Sequence, residues 1–256
     1  MPEPDIHQFP CLKDNYGVLV HDKEEGATLS IDAPDAAAVK RALDERGWKL
    51  THILVTHHHA DHTAGIPTLK SETGCTVIGP NAESVRIPCL DVGVGEPDTL
   101  SLGGLKAQVL DTPGHTIGHI SYWFPAAKIA FVGDTLFAMG CGRILEGTPE
   151  TMWASLRKIA ALPPDTRLYC GHEYTVSNAK FAVTIEPGNA RLAKRLAEAE
   201  SERERGEATL PTRVDEELET NVFLRADTRA VREQIDMLLT PDWKVFAELR
   251  NRKNRF

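Results

Sequence analysis

The chain has 256 residues, 41% of them hydrophobic and 26% charged, with a formal net charge of −8. These proportions fit one large globular domain, or a main domain with a smaller one attached. The acidic balance argues against a broad nucleic-acid surface, and no apolar run approaches the ~18 residues needed to cross a bilayer. The start, Met1-Pro2-Glu3-Pro4-Asp5, lacks the basic residues and apolar stretch of a signal peptide, so the expectation is a soluble, cytoplasmic protein. Five scattered cysteines, Cys11, Cys75, Cys89, Cys141 and Cys170, contain no C-x-x-C pair and fit a reducing compartment. No long apolar surface helix stands out, which points to a monomer.

In chain order, Tyr16–His21 and Ala27–Asp32 read as strands, and Ala36–Glu45 as an amphipathic helix. The strand His52–Val55 runs straight into Thr56-His57-His58-His59-Ala60-Asp61-His62. Further strands are expected at Thr76–Gly79, Lys106–Leu110, His119–Phe124, Lys128–Val132 and Arg167–Cys170. The helix Glu150–Ala161 is broken by Pro163-Pro164. From about residue 175 the β-branched runs stop. Asn189 caps an expected helix over Ala190–Arg205 that ends at Gly206 and presents a solvated face of mixed charge. Thr212-x-x-Asp215 resembles a capping box, and Asp227 and Thr240-Pro241 look like further helix starts. The pattern is an α/β body followed by a small all-helical segment.

Four segments share one arrangement, an apolar strand followed at once by His or Asp. They are Ile53-Leu54-Val55 before His57–His62, Val109-Leu110 before Asp111-Thr112-Pro113-Gly114-His115, Ala130-Phe131-Val132 before Gly133-Asp134, and Leu168-Tyr169-Cys170 before Gly171-His172. Strand ends in layered α/β proteins gather at one rim, so these groups are expected to converge. His57 and His59 stand at i and i+2 and face one way in extended backbone, while His58 faces the other. An open site on one ion usually takes three protein ligands, and seven candidates suit two ions sharing a carboxylate. We assign His57, His59, His115 and Asp134 to the first ion, and Asp61, His62, Asp134 and His172 to the second. Two divalent ions would bring the formal charge from −8 to −4. His58 and His119 are expected beside the ligands and not among them, and Asp32 is a candidate to orient a ligand histidine through its ring N–H. With imidazole and carboxylate donors and no thiolate, zinc, iron and manganese are all compatible, and zinc is the expected metal.

Thr-His-x-His-x-Asp-His, Pro-Gly-His, Gly-Asp-Thr and Gly-His together resemble the metallo-β-lactamase superfamily. The resemblance implies a four-layer αβ/βα sandwich. Asp14-Asn15-Tyr16, Cys141-Gly142-Arg143, Gly171-His172-Glu173-Tyr174-Thr175 and the closing Leu249-Arg250-x-x-Lys253-Asn254-x-Phe256 narrow it to the glyoxalase II, or hydroxyacylglutathione hydrolase, family. The similarity covers nearly the whole chain and implies a metal-binding catalytic domain over residues 1–172 and a helical, glutathione-binding domain over 173–256. It implies hydrolysis of an S-(2-hydroxyacyl)glutathione thioester, such as S-D-lactoylglutathione, to glutathione and D-lactate by a hydroxide bridging two metals, as in methylglyoxal detoxification. Arg143, Tyr174, Arg250 and Lys253 would contact glutathione, a net anion that an acidic protein has to meet with local cations. The chain departs from the family in having Ile144-Leu145 where relatives often carry an aromatic residue, and Asn221-Val222-Phe223-Leu224-Arg225 in place of Asn-Pro-Phe-Leu-Arg. Another hydrolase of the same superfamily, such as a lactonase, and an iron-dependent persulfide dioxygenase are the alternatives.

Overall fold

The computed structural model describes residues 3–256, which form two compact units. The first comprises the chain up to Asp111 together with Ile117–Gly133, and the second comprises Thr112–Thr116 and Asp134–Phe256. Residue 172, the expected domain boundary, lies inside the second unit.

The first unit opens with strands β1 (Asp5–Cys11), β2 (Asn15–His21) and β3 (Thr28–Ile31), then helix α1 (Ala36–Arg46) and strand β4 (His52–Leu54). Helices α2 (Ala60–Thr63) and α3 (Ile66–Thr73) lead into strands β5 (Thr76–Pro80) and β6 (Val92–Val94). These six strands form one sheet in sequence order, antiparallel from β1 to β3 and parallel from β3 to β6. Parallel strands covered on both faces need continuous apolar runs, and Ile53, Leu54 and Val55 are fully buried. Val39, Ala42 and Leu43 of α1 and Ile66 and Leu69 of α3 pack in that core. Full burial of each larger aliphatic side chain is worth about 1.5–3 kcal/mol. The unit closes with β7 (Thr99–Leu102), β8 (Leu105–Asp111), β9 (Ile120–Phe124) and β10 (Ile129–Gly133), an antiparallel meander. The buried Tyr122 hydroxyl donates to Val55 O at 2.7 Å, and Ile120 N donates to Thr56 O at 3.0 Å, so the meander is bonded to the end of β4.

The second unit contains the short strands β11 (Leu136–Phe137) and β12 (Gly140–Cys141), helix α4 (Pro149–Ala160) and strand β13 (Arg167–Cys170). Helices α5 (Thr175–Ile185) and α6 (Ala190–Glu204), strand β14 (Thr212–Arg213) and helices α7 (Val214–Thr220), α8 (Arg229–Gln234) and α9 (Asp242–Arg255) follow. Thr148 and Thr151 cap the start of α4 reciprocally, and Met152, Leu156 and Ile159 form its buried stripe. Asn189 caps α6 as expected, its side chain accepting Leu192 N at 3.1 Å. Two helix-start readings need correction, and the third, Thr240-Pro241, holds. Thr212 does not cap α7, because its hydroxyl donates to Glu217 Oε1 at 2.6 Å. Thr228, one residue beyond Asp227, caps α8 by accepting Val231 N. Pro241 precedes α9 without a side-chain cap. Among the described residues no helix is long and apolar enough to cross a membrane.

Candidate metal centre and anion pocket

In the first unit, β4 delivers the histidine cluster. Chain direction reverses at Asp32, which follows β3 in a left-handed conformation, φ 54°. Its Oδ1 accepts Thr56 N at 2.7 Å, and its Oδ2 accepts the Thr56 hydroxyl at 2.9 Å and the His62 Nδ1–H at 2.7 Å. A carboxylate on Nδ1 fixes the ring and leaves Nε2 as the ligand atom. His57 Nε2 and His59 Nδ1 face each other at 3.1 Å, while the outward His57 Nδ1 lies 3.0 Å from the Thr56 hydroxyl. Two ring nitrogens turned towards one point suit a shared cation. Asp61 Oδ2 stands 3.8 Å from His62 Nε2, and Asn15 Nδ2 donates to the Asp61 backbone O at 3.1 Å and to Asp61 Oδ2 at 3.4 Å. Asn15 therefore braces the carboxylate expected at the second ion.

His58 turns away, as the alternation of the extended segment requires. Its backbone N–H and its Nδ1 both meet Glu83 Oε2 at 2.8 Å, and Glu83 Oε1 accepts Gly118 N at 3.0 Å. Glu83 is fully buried, and no motif surrounds it in the sequence. His119 stacks on His57 with ring centroids 5.0 Å apart.

In the second unit, Asp134 Oδ2 lies 3.5 Å from His115 Nε2 and 3.3 Å from His172 Nε2. One carboxylate oxygen facing two imidazole nitrogens is the geometry expected of a bridge between ions. The His115 loop is held tightly. His115 Nδ1 donates to Arg143 O at 2.8 Å, and the Ser155 hydroxyl of α4 donates to Pro113 O at 2.6 Å. Gly114 has φ 144°, and a Cβ there would run into Met152, which accounts for the Pro-Gly-His order. Gly142 passes so close to Asp134 O that no side chain fits. The His172 ring stacks on Tyr174 at 4.9 Å with planes 2° apart, and Phe137 meets both rings edge-on.

A cavity of about 570 Å³ in this unit is lined by His115 and Asp134 together with Cys141, Arg143, Tyr174, Arg250 and Lys253. Burial and the charges of Arg250 and Arg143 bring the Lys253 ammonium down to about 8. Lys253 Nζ donates to Ser177 O and Oγ, both at 2.9 Å. Arg250 is buried, with Nη1 on Cys141 O at 2.8 Å and its guanidinium 5.1 Å over the Phe223 ring. Three cationic side chains in one cavity are a lining suited to an anion. Burial pushes the Cys141 thiol up to about 11 despite the nearby Arg250 charge, so it stays protonated at neutral pH and is a poor nucleophile. A larger cavity of about 830 Å³ near Glu186 and Arg225 offers no such excess, because Arg225 is paired with Glu186 and Arg191 with Glu219.

The structure thus brings His57 to His59 and His62 to Asp61 in one unit, and gathers His115, Asp134, His172 and all four expected anion contacts in the other. The donors are imidazoles and carboxylates, with the second ring nitrogens of His57, His62 and His115 tied to oxygen atoms, and such a set fits divalent metal ions.

Comparison with known proteins agrees. The family model for the hydroxyacylglutathione hydrolase C-terminus matches residues 173–256, and the model for the metallo-β-lactamase superfamily matches residues 26–172. A hydroxyacylglutathione hydrolase from Brucella anthropi is 51% identical over 255 residues, covering 100% of this chain and 98% of that protein. The crystal structure of ETHE1 from Myxococcus xanthus superposes with TM-score 0.67 at 27% identity, over 98% of this chain and 100% of that one. A structure solved in a di-iron-bound form is similar at TM-score 0.57 and 26% identity, over 65% of this chain and 91% of that one. The fold is therefore the αβ/βα sandwich of the superfamily with a helical C-terminal region.

Proposed function

The chain belongs to the hydroxyacylglutathione hydrolases of the metallo-β-lactamase superfamily, and on that premise we propose that it hydrolyses the thioester of S-(2-hydroxyacyl)glutathione, S-D-lactoylglutathione above all, to glutathione and the 2-hydroxy acid. The observation that carries this most directly is one cavity lined both by His115 and Asp134 and by Arg143, Arg250 and Lys253. A glutathione thioester carries its reactive carbonyl on the central cysteine sulfur and a carboxylate at each end of the tripeptide, and a lining with both kinds of group suits it.

His57, His59, His115 and Asp134 would hold one ion and Asp61, His62, Asp134 and His172 the other, with zinc as the resident metal. When bound, such a pair supplies an acidified water near neutral pH and positive charge beside a developing oxyanion. The residues of the chain do the rest. Asp32 and Arg143 O hold His62 and His115 with Nε2 inward. Arg143, Arg250, Lys253 and the Tyr174 hydroxyl bind the tripeptide and fix the carbonyl beside Asp134. The departing thiolate has a pKa of ~8.5 and needs little protonation, so no dedicated acid is required. Cys141 takes no covalent part, because its thiol stays protonated. Residues 1–172 would form the catalytic part and 173–256 the glutathione-binding part of a cytoplasmic monomer.

Free-thiol release from S-D-lactoylglutathione, followed alongside an oxygen electrode with glutathione persulfide, tests the reading. Thiol release without oxygen uptake supports it. Oxygen consumption with persulfide and no thioester hydrolysis would place the chain with a different chemistry.

A further inference from the structure

The turn from Phe137 to Cys141 joins β11 to β12 and lies between Asp134 and Arg143. Its main chain is held residue by residue by side chains of the helical region. Asn221 Nδ2 donates to Gly140 O at 2.9 Å and shares a hydrogen with Phe137 O, which lies 3.3 Å away. Asn178 Nδ2 donates to Ala138 O at 3.2 Å, and Arg250 Nη1 donates to Cys141 O at 2.8 Å. Met139 N donates to Glu217 Oε2 at 2.9 Å. Met139 is fully buried with φ 53°, a left-handed conformation that costs energy for a residue with a side chain and persists only where its surroundings impose it.

Glu217 and Asn221 are themselves fully buried and bonded to each other, Asn221 Nδ2 to Glu217 Oε2, at 2.8 Å. Glu217 Oε1 accepts Arg195 Nη2 and the Thr212 hydroxyl, each at 2.6 Å. Arg195, read from sequence as part of a solvated face, is instead the counter-charge of a buried carboxylate. Such a group is retained only when it is paired and its lone pairs are filled. The turn it holds carries Phe137, which packs on Tyr174, and Cys141, and it leads directly into Arg143.

We propose that Asn221 and Glu217 are positioning residues for the glutathione pocket: by holding the 137–141 turn they set where Phe137, Cys141 and Arg143 stand. The helical region then acts on the substrate in two ways, through its own cations and through a turn that precedes it in sequence. This rests on the reading of the cavity as the glutathione site.

The test uses the full-length, metal-loaded protein. Glutathione affinity is measured by calorimetry, and KM and kcat are measured with S-D-lactoylglutathione, for the parent, Asn221→Ala and Arg195→Lys, with a thermal melt confirming the folded state. For Asn221→Ala, Kd and KM rise about ten-fold, as expected for loss of two buried donors, while kcat stays within about two-fold. For Arg195→Lys, which keeps the charge but loses the forked contact far from the cavity, both rise by about three-fold. A purely structural role would lower the melting temperature and leave Kd and KM of the folded protein unchanged, and that result overturns the proposal. If Asn221→Ala does not fold, unchanged Kd and KM in Arg195→Lys decide against it in the same way. A parent that neither binds glutathione nor releases thiol would instead contradict the functional reading on which this rests.

Discussion

The Asp32 carboxylate accepts the Nδ1–H of His62 at 2.7 Å, and both residues are buried. It sets the ring tautomer of a candidate ligand and at the same time bonds the backbone and hydroxyl of Thr56, so one side chain organises the exit of β4 and the second ion's histidine. Replacing Asp32 with Asn keeps the size but offers an amide to a ring nitrogen that needs an acceptor. The expected outcome is a ten- to hundred-fold weaker affinity for one of the two ions, of the order typical for such supporting partners, read by competition with a chromogenic chelator.

Asp134 is the carboxylate for which both His115 and His172 provide facing nitrogens. Asp134→Ala would remove the proposed shared ligand. Most of the metal should be lost, and turnover should fall by about a hundred-fold or more. A variant that keeps two ions per chain and normal turnover would show that the bridge is assigned to the wrong residue.

Lys253 titrates near 8 because burial and the neighbouring Arg250 and Arg143 charges favour its neutral form. The protonated ammonium is the form that attracts a carboxylate. It is fully present well below pH 8 and lost as the pH rises through that value. KM for the glutathione thioester should therefore climb between about pH 7.5 and 9 in the parent. Lys253→Met should raise KM about ten-fold at pH 7 and remove this portion of the pH dependence, with Arg143 and Arg250 still charged. A parent KM that stays flat across pH 8 excludes Lys253 from substrate binding.

Stripping the ions with a chelator should take thioester hydrolysis to background, since the Cys141 thiol stays protonated in the cavity and leaves no alternative nucleophile there. Dialysis against zinc, iron or manganese should restore it to different extents, measured as thiol release per bound ion.

Much of this candidate site is legible in the sequence because each candidate ligand lies in a segment that follows an apolar strand. Ile53-Leu54-Val55 before His57 and Ala130-Phe131-Val132 before Asp134 signal both the strand and its functional end. The outward turn of His58 follows from the two-residue period of extended chain, and the Glu83 contact fits it. What stayed hidden depends on partners distant in sequence. The strands at Leu136–Phe137 and Gly140–Cys141 are two residues long, too short to show any alternation. Their conformation is imposed by Asn178, Glu217, Asn221 and Arg250. Thr212 has the composition of a helix cap, yet Arg213 takes the cap position without a side-chain bond and the Thr212 hydroxyl donates to the buried Glu217 carboxylate. Arg195 sits in a strongly charged helix whose mixed signs conceal the one cation that turns inward.

The most direct test of the central claim pairs S-D-lactoylglutathione hydrolysis with metal analysis of the same preparation. Two ions per chain accompanied by loss of thioester absorbance and stoichiometric release of glutathione is the predicted result. A preparation that carries two ions and leaves the thioester intact contradicts it.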